Sequence, residues 1–248
     1  FFARCGGRAR RGHAPPVSLY VLDRTASAPG RVRLRTRAPG EVRVLALHQM
    51  ACAGSWAEDS PGWDRVAAHL VVKRSGAVQV NHDPLARITV GSGPHWNPVC
   101  VTVEFAGNLP TRQGLDGSWR WWKPETHGRD LLTPEQVEAG RALVGWLRER
   151  LPALAEVGAH RQVARAKAGC CGPQVWREIG AWAVASGGLR LAATAPSGLD
   201  IPETWWPPGA LGAAEAGRTP GGGRGYAGPL AASPAGAEAS LFADTPLP

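Results

Sequence analysis

Apolar residues fall into a few short runs along this chain, and their spacing decides which elements they form. Val42, Val44 and Ala46 alternate with Arg43, Leu45 and Leu47. A run that is β-branched and apolar on both faces towards its end predicts a strand entering a buried sheet, and this one stops at His48. Leu70-Val71-Val72 and Ala77-Val78-Gln79-Val80 flank Lys73-Arg74-Ser75-Gly76, so 69–80 predicts a hairpin with the glycine in its turn. Val99 to Phe105 predicts a further strand, with one charge, Glu104, near its end. Val17 to Leu22 predicts a short strand in an otherwise loop-like N-terminal extension, 1–40, rich in Arg, Gly and Pro.

The clearest helix starts after Thr133. That residue is a plausible N-cap, Pro134 takes the first helical position, and Gln136 completes a capping box. Val137, Leu143, Val144, Trp146, Leu147 and Leu151 recur at roughly helical spacing, and Pro152 ends the pattern. A second helix is predicted after Gly172-Pro173, with Val175, Trp176 and Ile179 on one face. Residues 109–130 predict a polar loop bearing Trp119, Trp121 and Trp122. Strands mixed with helices in this order predict an α/β domain, a central mixed β-sheet flanked by helices. From about 207 the composition collapses to Gly, Ala and Pro. This predicts a disordered tail over 207–248 and a folded domain, with a C-terminal elaboration, over 41–206.

Composition narrows the partners. The 248 residues carry a formal net charge of +8, which suits a polyanion: nucleic acid, an anionic membrane or an acidic wall polymer. A soluble protein rich in Arg has the same charge. The arginines are scattered, with no basic run interleaved with aromatics and no helix-turn-helix or zinc-finger spacing, so nucleic acid is not expected. No stretch approaches the roughly 18 apolar residues of a membrane span. Five cysteines at uneven spacings, Cys5, Cys52, Cys100, Cys170 and Cys171, do not make a disulfide framework, and a metal role for one of the adjacent pair reads better.

Zinc hydrolysis needs three protein ligands and an open position, with His nitrogen and Cys thiolate as usual donors. His48 ends a buried strand, His160 follows the long helix on a short connection, and Cys170 comes just before Gly172-Pro173. Taken singly, a histidine at a strand end is more often structural and a cysteine more often core. Spacing alone leaves metal and packing both open.

Several segments, in order, resemble the type-2 N-acetylmuramoyl-L-alanine amidases and the peptidoglycan recognition proteins that share their fold. "VRVLALH" at 42–48 is similar to the first strand and its zinc histidine. "HLVVKRSGAVQV" at 69–80 is similar to the family hairpin, and "NPVCVTVEFAGN" at 97–108 to the strand that ends in Glu and Gly. "LTPEQVEAGRALVGWL" at 132–147 resembles the helix that packs on the sheet, and "GAHRQVARAKAGCCGP" at 158–173 the closing segment. The resemblance covers about residues 40–180.

The resemblance implies a zinc cleft at one edge of the sheet, with Zn2+ held by His48, His160 and Cys170 and with Cys171 as the alternative third ligand. It implies Glu104 as general base for the attacking water. In the family a lysine often stands two residues before the last ligand, where it stabilises the oxyanion. Here position 168 is Ala and Lys167 is one place off, so Lys167 carries that role only on a one-residue shift, with Arg165 as a substitute. His69, His95, Trp96 and Asn97 are candidate substrate contacts, His69 alternatively a packing residue, while His82 and His127 are expected on the surface. The implied reaction is hydrolysis of the amide between N-acetylmuramic acid and L-alanine in peptidoglycan or a muropeptide, by a monomer. The alternative is a non-catalytic peptidoglycan-binding module. Such proteins commonly lose a ligand, whereas this chain has a candidate at all three positions. A wall substrate favours a periplasmic or secreted location, although residues 1–5 show no charged segment followed by an apolar one.

Overall fold

A computed structural model describes residues 19–27, 35–50, 57–114, 116–120 and 129–210. These all lie in the first of two compact units, Phe1–Arg218, the second being Thr219–Pro248. Trp121, Trp122, His127 and nearly all of the expected tail fall outside the described residues.

A seven-stranded mixed sheet organises the domain. Its strands are β1 (Val21–Asp23), β2 (Val44–Gln49), β3 (Leu70–Val72), β4 (Val78–Val80), β5 (Cys100–Phe105), β8 (Glu156–Ala159) and β9 (Arg190–Leu191), in the spatial order β1-β4-β3-β5-β2-β8-β9. A separate two-stranded ribbon pairs β6 (Arg112–Gln113) with β7 (Trp119–Arg120). Strands β3, β5, β2, β8 and β9 run parallel to one another. β4 turns back antiparallel to β3, as a hairpin must, and β1 runs parallel to β4. The predicted N-terminal strand therefore forms at Val21–Asp23, shifted towards its C-terminal end, and becomes the sheet's edge. Gly76 takes φ 84° in the hairpin turn, a value L side chains avoid.

All six residues of β2 are buried. A strand covered on both faces has no reason to alternate apolar and polar, and the two faces pack separately. Leu45, Leu47, Val101, Val103 and Phe105 meet Leu143, Val144, Leu147 and Ile179. The alternate positions Val44, Ala46 and Cys100 pack with Trp96 and Val163.

Helix α2 (Pro134–Arg150), which follows the short α1 (Gly93–Trp96), buries Gln136, Ala139, Gly140, Leu143, Val144 and Leu147, one stripe at helical spacing. Its predicted cap is present: Thr133 Oγ1 accepts from the Gln136 N–H at 3.1 Å, and Gln136 Oε1 accepts from the Thr133 N–H at 3.2 Å. Gln136 Nε2 also donates to the carbonyls of Val72 (3.2 Å) and Ala106 (2.9 Å). One buried side chain thus closes the helix start and ties it to the ends of β3 and β5. The second predicted helix is composite: α3 (Pro173–Val175), a π turn (Trp176–Gly180) and α4 (Ala181–Ala185).

Thr133→Ala should cost about 1 kcal/mol in urea unfolding, the usual value of a lost cap. Gln136→Leu should cost more, about 2–4 kcal/mol, because two buried carbonyls lose their donor. Equal losses would show that the bonds from Gln136 to the sheet contribute nothing.

Candidate active site

The site follows from strand register. His48 on β2 lies opposite Glu104 on β5, and Leu47 lies opposite Ala159 on β8. The residue after Ala159 is His160, so one row across three parallel strands holds Glu104, His48 and His160. His48 continues the Val44–Ala46 side of its strand and Glu104 the Cys100–Thr102 side of its own, so both point to the face opposite α2. Carboxyl ends of parallel strands are where open α/β sheets bind ligands. The His48 and His160 ring centroids are 4.4 Å apart.

Cys170 reaches the row through a folded-back loop. A 3-10 turn spans Arg165–Lys167, the Cys170 N–H donates to Lys167 O at 2.9 Å, and the Arg161 N–H donates to Cys170 O at 3.0 Å. The donor atoms of His48, His160 and Cys170 all lie within 4.8 Å of one another. Donors around tetrahedral zinc stand about 3.5 Å apart, given bonds of roughly 2.0–2.3 Å, so a small contraction closes the set. Cys171 belongs elsewhere: it is fully buried in the core beside Val175 and Trp176, and its thiol donates to Gly172 O at 3.8 Å.

Burial sets the ionisation of every group here. It pushes His48 well below the usual histidine range, helped by the His160 and Lys167 charges. Burial, then Lys167, takes His160 down to about 4. Both imidazoles are therefore neutral near pH 7 and free to ligate. Burial, then the Glu104 charge, raises the Cys170 thiol, against which the Gln49 backbone N–H and Lys167 favour the thiolate. Burial raises Glu104 to about 8, opposed by Lys167. The Lys167 charge thus acts on all four groups despite its one-residue offset.

His48 Nε2 lies 2.9 Å from Ser92 Oγ, which leaves Nδ1 for the cluster, 3.7 Å from Glu104 Oε1. Glu104 Oε2 is buried with no hydrogen-bond partner among the described residues. Two neutral imidazoles, a thiol and a partnerless buried carboxyl oxygen together suit a divalent cation, and the nitrogen and sulfur donors favour zinc.

The four candidate substrate contacts separate. Trp96 is 1% exposed and packs against Val44, Ala46 and Cys100; its ring fills the sheet's second face and has no surface for a sugar. His69 is wholly buried. Its Nδ1 accepts from the Thr102 N–H at 3.0 Å, so Nε2 carries the proton and donates to Arg87 O at 2.9 Å. It is a packing residue here, the alternative given above. Asn97 turns inward, its Oδ1 accepting from the Ser92 N–H at 2.8 Å, so it supports the partner of His48. His95 is exposed. His82, expected on the surface, is buried, because the chain after β4 doubles under His69, whose carbonyl accepts the His82 N–H. Ser92, Gln49 and Arg161 had no sequence signal of their own, and only their contacts with His48, Cys170 and the loop before Cys170 reveal them.

These donors, converging at the carboxyl ends of parallel strands, define an α/β domain with a site suited to a divalent metal. A family model described as N-acetylmuramoyl-L-alanine amidase matches residues 15–173, well over half of the chain. The protein belongs to that family, the type-2 amidases together with the peptidoglycan recognition proteins. No curated protein matches it in sequence. Among solved structures it is similar to the N-acetylmuramoyl-L-alanine amidase LysC from Clostridium intestinale URNW, at 12% identity and TM-score 0.43 over 63% of this chain and 91% of that one. It is also similar to the Ph2119 endolysin from Thermus scotoductus MAT2119 bacteriophage Ph2119, at 17% identity and TM-score 0.39 over 61% and 91%. Drosophila PGRP-LB is similar at 15% identity and TM-score 0.44 over 75% and 100%. Among the described residues no helix is long and apolar enough to cross a membrane.

Burial lowers the His69 pKa from 6.5 to about 3. The unfolded chain therefore takes up this proton first, and the stability that neutral His69 supports is complete above pH 6.5 and lost as pH falls towards 3. The stability gap between the metal-free protein and its His69→Gln variant should narrow between pH 6.5 and 4, by up to about 1.4 kcal/mol per pH unit. A gap that stays constant over that range would contradict this.

Proposed function

We propose that the protein is a zinc-dependent N-acetylmuramoyl-L-alanine amidase that cleaves the amide between the lactyl group of N-acetylmuramic acid and L-alanine in peptidoglycan. The observation that carries this reading is the convergence of the His48, His160 and Cys170 donors within 4.8 Å of one another, beside Glu104, in a chain of the amidase family. A chain that only bound peptidoglycan would need neither the full donor set nor a buried carboxyl beside it.

Zinc held by His48, His160 and Cys170 would supply Lewis acidity at the scissile carbonyl and ease deprotonation of the attacking water. Glu104 Oε2, which has no hydrogen-bond partner among the described residues, takes the proton from that water as its oxygen bonds to the carbonyl carbon. The same carboxyl then passes the proton to the amide nitrogen as the C–N bond breaks, releasing a lactyl carboxylate and a peptide with a free L-alanine amine. Lys167 balances the charge that gathers on the carbonyl oxygen. Ser92 holds the His48 ring so that Nδ1 faces the cluster. The net charge of +8 suits an acidic wall polymer.

Digestion of purified sacculi should release peptides beginning at L-alanine, and a chelator should abolish the release; release that survives chelation would refute the metal's role. Cys170→Ser should abolish turnover while Cys171→Ser, measured on folded protein, leaves it within a few fold. Glu104→Gln should lower kcat by about 10²–10⁴-fold, the usual share of a general acid–base group, with little change in substrate affinity. Full activity of Glu104→Gln would remove it from the mechanism.

A further inference from the structure

Residues beyond the family match, which ends at 173, are built into the loop that carries the ligands. β9 extends the sheet beside β8, and the chain after it runs along 161–165 as a strap. Gln162 Nε2 donates to Ala192 O at 2.7 Å, and the Ala195 N–H donates to Gln162 O at 2.8 Å. Ser197 Oγ donates to Val163 O at 2.9 Å, the Arg165 N–H to Ser197 O at 2.9 Å, and the Leu199 N–H to Arg161 O at 2.8 Å. The approach is close enough that a Cβ on Gly198 would stand 1.9 Å from Gln162 O. The strap ends in Trp205 and Trp206, both buried in the main core, with Trp206 edge-on to Trp176 at 5.2 Å.

Arg161 joins this strap to the third ligand. Its backbone N–H donates to Cys170 O at 3.0 Å, its Nη1 donates to Ala168 O, and its guanidinium stands 4.9 Å from the Trp205 ring. A planar cation that stacks on an aromatic face while donating to a carbonyl is fixed on two sides, which a lysine does not reproduce. We propose that residues 192–206 form part of the metal centre, acting as a strap that sets the place of Cys170 through Arg161 as a positioning residue. The proposal rests on the zinc reading above for the identity of the ligand loop.

Two measurements on the full chain test it: zinc affinity by chelator competition, and the rate at which Cys170 takes a thiol label in the metal-free protein, located by mass spectrometry. Arg161→Lys should weaken zinc binding by about 10- to 100-fold, the usual effect of losing a group that orients a ligand, and should label Cys170 several-fold faster. Trp205→Phe, which keeps the core filled, should shift both in the same direction by a smaller factor. Arg150→Lys removes another arginine stacked on tryptophan, 4.4 Å from the Trp146 ring, and should change neither. Zinc affinity within about twofold of wild type in Arg161→Lys, with an unchanged labelling rate, would overturn the strap; so would equal shifts in Arg150→Lys. If the wild-type chain bound no zinc, the metal reading would fail, while the labelling rates would still decide whether the strap fixes the loop.

Discussion

Parallel pairing of β2 with β5 on one side and β8 on the other is the constraint on which the rest depends. Side chains alternate along a strand, so a slip of one residue sends each to the opposite face. Here the apolar face of β2 is fixed by Leu45 and Leu47 against α2, and the other face by Val44 and Ala46 against Trp96. A slip in either pairing would expose one set and bury the wrong neighbours. The packing on both faces therefore sets His48 level with Glu104 on one neighbouring strand and with His160, the residue that follows β8, on the other. The positions of these three side chains are a by-product of filling the core.

That placement is electrostatically costly. Burial raises Glu104 and Cys170 and lowers both histidines, so the site favours neutral forms of all four. A divalent cation would invert this, since its charge favours the thiolate and the carboxylate while neutral imidazoles are already the ligating form. Lys167 pulls in the same direction from the edge. It favours both anions and, acting on the histidines, favours their neutral state. The lysine's place in the sequence matters less than where its charge falls.

Elements specified by local chemistry were legible from the chain. Thr133, Pro134 and Gln136 announce a helix start, and Lys73 to Gly76 announces a turn between two apolar arms. The run ending at His48 reads as a buried strand because both of its faces are apolar. Legibility fails where tertiary packing decides. The resemblance implies Trp96 and Asn97 as substrate contacts, yet the tryptophan packs against Val44 and the amide accepts from the Ser92 N–H. His82 follows a strand and reads as a surface residue, but the backbone folds it under His69. The donor cluster emerged only when family resemblance joined segments far apart in sequence. Even then nothing announced Ser92 or Arg161, because a supporting hydrogen bond leaves no pattern along a chain. The two neighbouring cysteines show the same limit: the donor atom of Cys170 lies within 4.8 Å of those of the histidines, while Cys171 is fully buried in the core.

Under the proposed function, one zinc ion sits among the side chains of His48, His160 and Cys170. Anomalous diffraction at the zinc edge from crystals of the protein grown with zinc tests it most directly. One strong peak is expected, about 2.3 Å from the Cys170 sulfur and about 2.0–2.1 Å from a nitrogen each of His48 and His160. A peak bonded to Cys171 in place of Cys170, or no peak at these side chains in zinc-saturated crystals, would contradict it.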